Sequence, residues 1–83
     1  MPSSYELPSD QSRMRRSQTV EEIKRLILNR GLRTGDPLPT ETELCQELGV
    51  SRSSVREAIR ALATLDVVEV RHGSGTFIGE MSL

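Results

Sequence analysis

Three residues, Gly49-Val50-Ser51, constrain this chain more than any others, because they separate two segments of helical character with almost no connection between them. Glycine directly after the apolar Leu48 is a stop signal, since it takes the left-handed conformation at a helix end without a Cβ clash, and Ser51 is a strong N-cap for whatever follows. A stop and a start this close require a tight turn, so the two helices must pack on one shared core. Upstream, Thr40 and Glu43 have capping-box spacing before Leu44 and Leu48. Downstream, Val55, Ala58, Ile59, Leu62 and Leu65 fall on one side of a helix that turns about 100° per residue and runs to about Leu65. Two helices joined by a Gly-containing turn of this length form a helix-turn-helix.

The flanking segments complete the pattern. Thr19 and Glu22 repeat the capping-box spacing, and Val20, Ile23 and Ile27, with Leu26 widening the stripe, predict a first helix that ends at Gly31. Gly35, Asp36 and Pro37 read as a connection to Leu38 and Pro39. After the third helix, Val67 to Val70 and Thr76 to Ile78 are β-prone runs separated by Arg71, His72, Gly73, Ser74 and Gly75, the pattern of a hairpin. The predicted fold is mainly α with a small β-hairpin, a winged helix-turn-helix over residues 18–80. Residues 1–17 are rich in Ser and Pro and lack apolar periodicity, so they are expected to form a disordered basic N-terminal arm carrying Arg13, Arg15 and Arg16. The same residues read equally well as a solvated tail without a partner.

Size and composition narrow the function. With 83 residues, 35% of them apolar, one Tyr, one Phe and no Trp, the chain builds one small core and no deep cleft, which favours binding over catalysis. The single Cys45 forms no internal disulfide and no Cys/His cluster has zinc spacing, so a reducing cytoplasm is expected and neither a metal nor a cofactor. An enzyme would need a nucleophile with its base, or a metal cluster, and neither is present. Glu41, Glu43 and Glu47 favour the N-terminal dipole of the second helix, and as a carboxylate cluster they lack a pocket. No apolar stretch approaches the roughly 20 residues that span a bilayer, so no membrane partner is expected.

The net charge of −1 conceals strong segregation along the chain. Residues 13 to 33 carry seven bases against two acids, whereas residues 34 to 50 carry four acids and no base. On the third helix Ser53, Arg56 and Arg60 point away from the apolar stripe, with Arg52 at its edge. Arg52, Arg56 and Arg60 are successive i,i+4 neighbours of like charge, which costs an isolated helix roughly 0.2–0.5 kcal/mol per pair, and Glu57 offsets only part of it. Water can solvate such a face. On the second helix of a helix-turn-helix, however, the N-terminal residues enter the major groove, where Arg can donate two bonds to guanine, so an external polyanion is the favoured source of negative charge. Ser51, Ser53 and Ser54 add hydroxyls and N-terminal amides suited to phosphate oxygens, although Ser51 has a competing role as N-cap. The rival reading is a winged helix for protein–protein interaction whose Arg stripe meets an acidic partner.

The run LPTETELCQELGVSRSSVREAIRALATLDVVEVRHGSGTFIGE resembles the DNA-binding domain of the GntR family of bacterial transcription regulators, and SRSSVREAIRAL within it resembles the FadR-like branch. The combination of LP, GVSR, VREA and HGSGTF carries the likeness, which extends over about residues 19 to 80. The resemblance implies a third helix in the major groove and a Gly-rich wing in the minor groove. It also implies base or adjacent phosphate contacts from Arg52 and Arg56, support from Ser53 and Ser54, and wing contacts from His72 and Gly73. The full candidate DNA-binding set is Thr40, Thr42, Ser51, Arg52, Ser53, Ser54, Arg56, Arg60, His72, Gly73, Ser74 and Gly75. Thr42 stands where many relatives have an Arg that touches DNA, and Asp66 stands where relatives commonly have Gly. The resemblance further implies double-stranded DNA with an inverted-repeat operator as partner, and a C-terminal effector domain that binds a small molecule and supplies most of the homodimer interface. Residues 81–83 then read as the start of the linker to that domain, which lies outside this chain.

Overall fold

The computed structural model describes residues 18–80, within which α1 covers residues 18–30, α2 is Glu41–Leu48, α3 is Arg52–Thr64, β1 is Val68–Arg71 and β2 is Gly75–Ile78. Three helices and an antiparallel hairpin are the winged helix-turn-helix the sequence predicts. The expected arm of residues 1–17 and the expected linker of residues 81–83 lie outside the described residues.

The turn at the centre of the fold forms as its residues dictate. Gly49 sits at φ 68°, and the Cys45 carbonyl accepts from the N–H of Gly49 at 2.9 Å and from that of Val50 at 3.3 Å. Ser51 then caps α3, its Oγ accepting from the Ser54 N–H at 3.2 Å. At the start of α2 the capping box is complete: Thr40 Oγ1 accepts from the Glu43 N–H at 3.1 Å, and the Thr40 N–H donates to Glu43 Oε1 at 2.9 Å. α1 ends at Gly31 as predicted, with Leu32 N–H bonded to the Ile27 carbonyl and Gly31 N–H to that of Leu28. Its other predicted boundary fails. Residue 18 is already helical, so Thr19 is not an N-cap but lies inside α1, one turn before Ile23, where it is buried on the core face.

The core joins Ile23, Leu26 and Ile27 of α1, Leu44 of α2, Val55, Ala58, Ile59 and Leu62 of α3, and Leu38, Val67, Val68 and Ile78 around the wing. Each fully buried aliphatic side chain contributes about 1.5–3 kcal/mol relative to exposure, so the apolar stripe of α3 is what fixes that helix against the other two. Leu65, predicted as the end of the stripe, is exposed instead. It is the C-cap, one residue past the last helical residue, and stands at the outer edge of the stripe.

A Schellman ending links α3 to the wing: Val67 N–H bonds the Leu62 carbonyl and Asp66 N–H that of Ala63, with Asp66 at φ 62°. Asp66 thus holds the left-handed position expected of it. The hairpin register is Val68↔Ile78, Glu69↔Phe77, Val70↔Thr76 and Arg71↔Gly75. Arg71 and Gly75, predicted as turn residues, are therefore strand residues, and the loop is only His72-Gly73-Ser74. The segment read as a plain connection also differs. Gly35 N–H donates to the Ile78 carbonyl at 2.9 Å, Ile78 N–H to that of Asp36 at 2.8 Å, and Leu38 N–H to that of Thr76 at 2.8 Å, with an antiparallel bridge between Pro37 and Phe77. β2 is thus bonded on both edges, and the prolines fit because a residue without an N–H is tolerated on an edge.

Candidate nucleic-acid interface

Burial of Val55, Ala58, Ile59 and Leu62 turns the opposite side of α3 outward, where Ser53, Arg56 and Arg60 are exposed, and Arg52 is exposed at the edge of the buried face. The wing loop lies beside this helix. A groove of about 700 Å³ runs between them, with Arg56 and Arg60 on one wall and His72, Ser74 and Gly75 on the other. Thr40 and Glu41 close it from the start of α2, and Ile59, Val70 and Phe77 are among its apolar lining residues. Candidates separated by up to 35 positions in the chain therefore share one concave face.

The remaining candidates divide by what their side chains already do. The Thr40 hydroxyl caps α2. Ser51 both accepts the Ser54 N–H and donates to Ser54 Oγ at 3.1 Å, so its hydroxyl serves the turn. Ser51 and Ser54 line a separate hollow with Gln18, Thr19 and Glu22, which leaves Ser53 as the fully outward hydroxyl in the first turn of α3. In the wing, the Arg71 carbonyl accepts from Ser74 N–H at 3.0 Å, and Gly73 at φ 79° permits the reversal.

Two of the arginines are tied back to the first turn of α2. Arg56 Nε donates to Glu41 Oε2 at 3.0 Å, and Arg52 Nη2 donates to Thr42 Oγ1 at 3.3 Å. The expectation that the Arg stripe draws its negative charge only from outside is thereby corrected for Arg56, whose carboxylate partner lies 15 residues earlier. The Arg56 and Glu41 side chains are 58% and 36% exposed, so the pair contributes under about 1 kcal/mol to folding. Arg52 and Arg60 have no carboxylate partner among the described residues. Thr42, one of the candidate residues, supplies its hydroxyl to Arg52.

Sequence reasoning missed Arg71. Its guanidinium lies 4.5 Å from the centre of the Phe77 ring and 3.4 Å from Glu69 Oε1, so a cation stands at the base of the wing loop. The available signal was the two-residue period of β1, which puts Arg71 and Glu69 on one face. On the far side of the domain Arg30 pairs with Glu47, tying α1 to α2 away from the groove. Among the described residues no group of three His, Cys, Asp or Glu side chains could hold a metal ion, and no helix is long and apolar enough to cross a membrane.

Comparison with known proteins gives a consistent result. The profile for bacterial regulatory proteins of the gntR family matches residues 15–78. The mannosyl-D-glycerate transport/metabolism system repressor MngR of Escherichia coli K12 is 43% identical over 63 residues, which are 76% of this chain and 26% of the repressor. The chain spans about a quarter of the length of the curated relatives it matches. Among solved structures, a GntR protein of Streptococcus agalactiae superposes with a TM-score of 0.76 at 48% identity, covering 78% of this chain and 32% of that one. AraR(DBD) in complex with operator ORX1 superposes with a TM-score of 0.71 at 35% identity, covering 78% of each chain.

Proposed function

Because the chain belongs to the GntR family of bacterial regulatory proteins and carries its winged helix-turn-helix, we propose that it binds operator DNA sequence-specifically, with α3 in the major groove and the wing in the minor groove. The observation that carries this reading is the pair of exposed guanidinium groups on α3, Arg56 and Arg60, facing the exposed wing loop across one groove, with Arg52 exposed beside them at the start of the helix. Arg52 and Arg56, in the N-terminal half of the helix, read base edges, since a guanidinium can donate two parallel bonds to guanine. Arg60 and Ser53 hold phosphates, together with the amides of Arg52 and Ser53 at the start of α3. His72 and Gly73 approach the minor groove, where a loop without bulky side chains fits.

The operator-bound AraR(DBD) supports the DNA partner, and the likeness to MngR supports a repressing role. The relatives are about four times as long as the matched segment, which fits a longer regulator whose further domain binds a small-molecule effector and joins two copies. Such a homodimer would place two α3 helices on inverted half-sites of a cytoplasmic operator.

The test is selection of bound duplexes from a random pool, followed by titration of the Arg56→Ala chain. Removing the Arg56 guanidinium is expected to weaken binding of the selected duplex by about 1–3 kcal/mol and to relax preference at one base pair. A selected duplex held no better than a scrambled one overturns base reading by α3, and no DNA binding at low salt points to an acidic protein partner instead.

A further inference from the structure

Arg56 does not project freely from α3, because its inner nitrogen is occupied: Nε donates to Glu41 Oε2 at 3.0 Å. Glu41 stands where a carboxylate is favoured: it is the first residue of α2, directly after the Thr40 cap, at the positive end of the helix dipole. A guanidinium is planar and carries five donors. With Nε engaged, Nη1 and Nη2 remain, and these form the outer edge that can approach a pair of acceptors in parallel. Guanine presents such a pair in O6 and N7.

We infer that Glu41 is a positioning residue for specificity, orienting Arg56 before DNA arrives so that its terminal edge meets a base. The inference rests on α3 being the base-reading helix. Orientation in advance reduces the rotamer freedom that Arg56 loses on binding, and so favours the complex in which both terminal nitrogens are used. The same carboxylate repels phosphates. That repulsion lowers affinity for every duplex alike, so the discrimination comes from the orientation of Arg56 and not from the charge. Thr42 holds Arg52 through a neutral hydroxyl at 3.3 Å, so the first turn of α2 steadies both arginines, and the charged tie is the one at Arg56.

The experiment compares the parent chain with Glu41→Ala, Glu41→Gln, Arg56→Ala and the Glu41→Ala/Arg56→Ala double variant. Each is titrated with the selected duplex and with a scrambled duplex of equal length, and thermal melts verify that each is folded. Glu41→Ala is expected to bind the scrambled duplex more tightly, while the ratio of selected to scrambled affinity falls about tenfold. Glu41→Gln, whose amide oxygen can still accept from Nε, is expected to recover most of that ratio. In the Arg56→Ala background the Glu41→Ala change is expected to leave the ratio unaltered, because Glu41 acts through Arg56. A ratio that survives Glu41→Ala, or losses that multiply in the double variant, overturns the positioning role while leaving base reading by α3 intact. A parent chain that does not distinguish the two duplexes overturns that reading and the positioning role with it.

Discussion

Replacing Gly79 with alanine is expected to be among the most damaging single-methyl additions the domain can receive. Gly79 lies just beyond β2, where its N–H donates to the Val67 carbonyl at 2.8 Å and its own carbonyl accepts from Thr34 Oγ1 at 3.0 Å. A Cβ built there would stand 2.3 Å from the Asp66 carbonyl oxygen, 3.0 Å from its carbon and 3.2 Å from the Val67 carbonyl carbon. All three are backbone atoms, so no side chain can swing away. Relief requires separating the end of β2 from the α3 to β1 junction. Overpacking of this kind costs about 1–3 kcal/mol, and breaking the Gly79 to Val67 bond adds about 0.5–1.5 kcal/mol. A total of about 2–4 kcal/mol is a large share of the roughly 3–9 kcal/mol available to a domain of this size. At about 4–8 °C per kcal/mol, the midpoint of thermal unfolding followed by circular dichroism should fall by about 8–32 °C. No candidate DNA-binding residue contacts this point, so duplex affinity per folded molecule should match the parent's. A midpoint within about 3 °C of the parent's would refute the steric argument, since the clash would then have been relaxed at almost no cost.

The same junction offers a change in the opposite direction. Asp66→Gly removes a Cβ from a residue at φ 62° and is expected to raise stability by about 0.5–1 kcal/mol, read as a higher midpoint in urea with an unchanged slope; a lower midpoint would show that the Asp side chain compensates for its backbone conformation. Substituting Arg13, Arg15 and Arg16 together by Gln is expected to weaken selected and scrambled duplexes alike. Each phosphate that the arm no longer neutralises reduces the slope of log affinity against log salt by about 0.9, so equal slopes in variant and parent would remove the arm from the interface.

Much of the fold is legible because its boundaries are set by single residues with strong local preferences. Gly31, Gly49 and Ser51 stop and start helices where expected, and the Thr40–Glu43 capping box forms with both of its bonds. Thr19 shows the limit of this reasoning. It has the same spacing to Glu22 that Thr40 has to Glu43, yet it is helical and buried, because a Thr in register with Ile23 and Ile27 can equally extend an apolar face. Capping-box spacing states a possibility, and packing decides between the two uses. The edge pairing of residues 35–38 was hidden for a different reason: Pro37 and Pro39 lower β propensity, and the bonds that define the edge come from β2, about 40 positions away.

The candidate site divides in the same way. The amino-acid order alone determined that Arg56 and Arg60 would face outward and that Arg52 would stand at the edge of the apolar stripe, since a 3.6-residue period with Val55, Ala58, Ile59 and Leu62 buried fixes those directions. It also determined that a Gly-rich loop would follow the third helix. Only the tertiary structure decided that Glu41 grips Arg56, that Thr42 meets Arg52, that Arg71 covers Phe77, and that the wing stands across a groove from α3. Outward direction is a property of one helix and repeats with its pitch. A partner on another element depends on how the two are docked, and that geometry is set by the buried side chains between them.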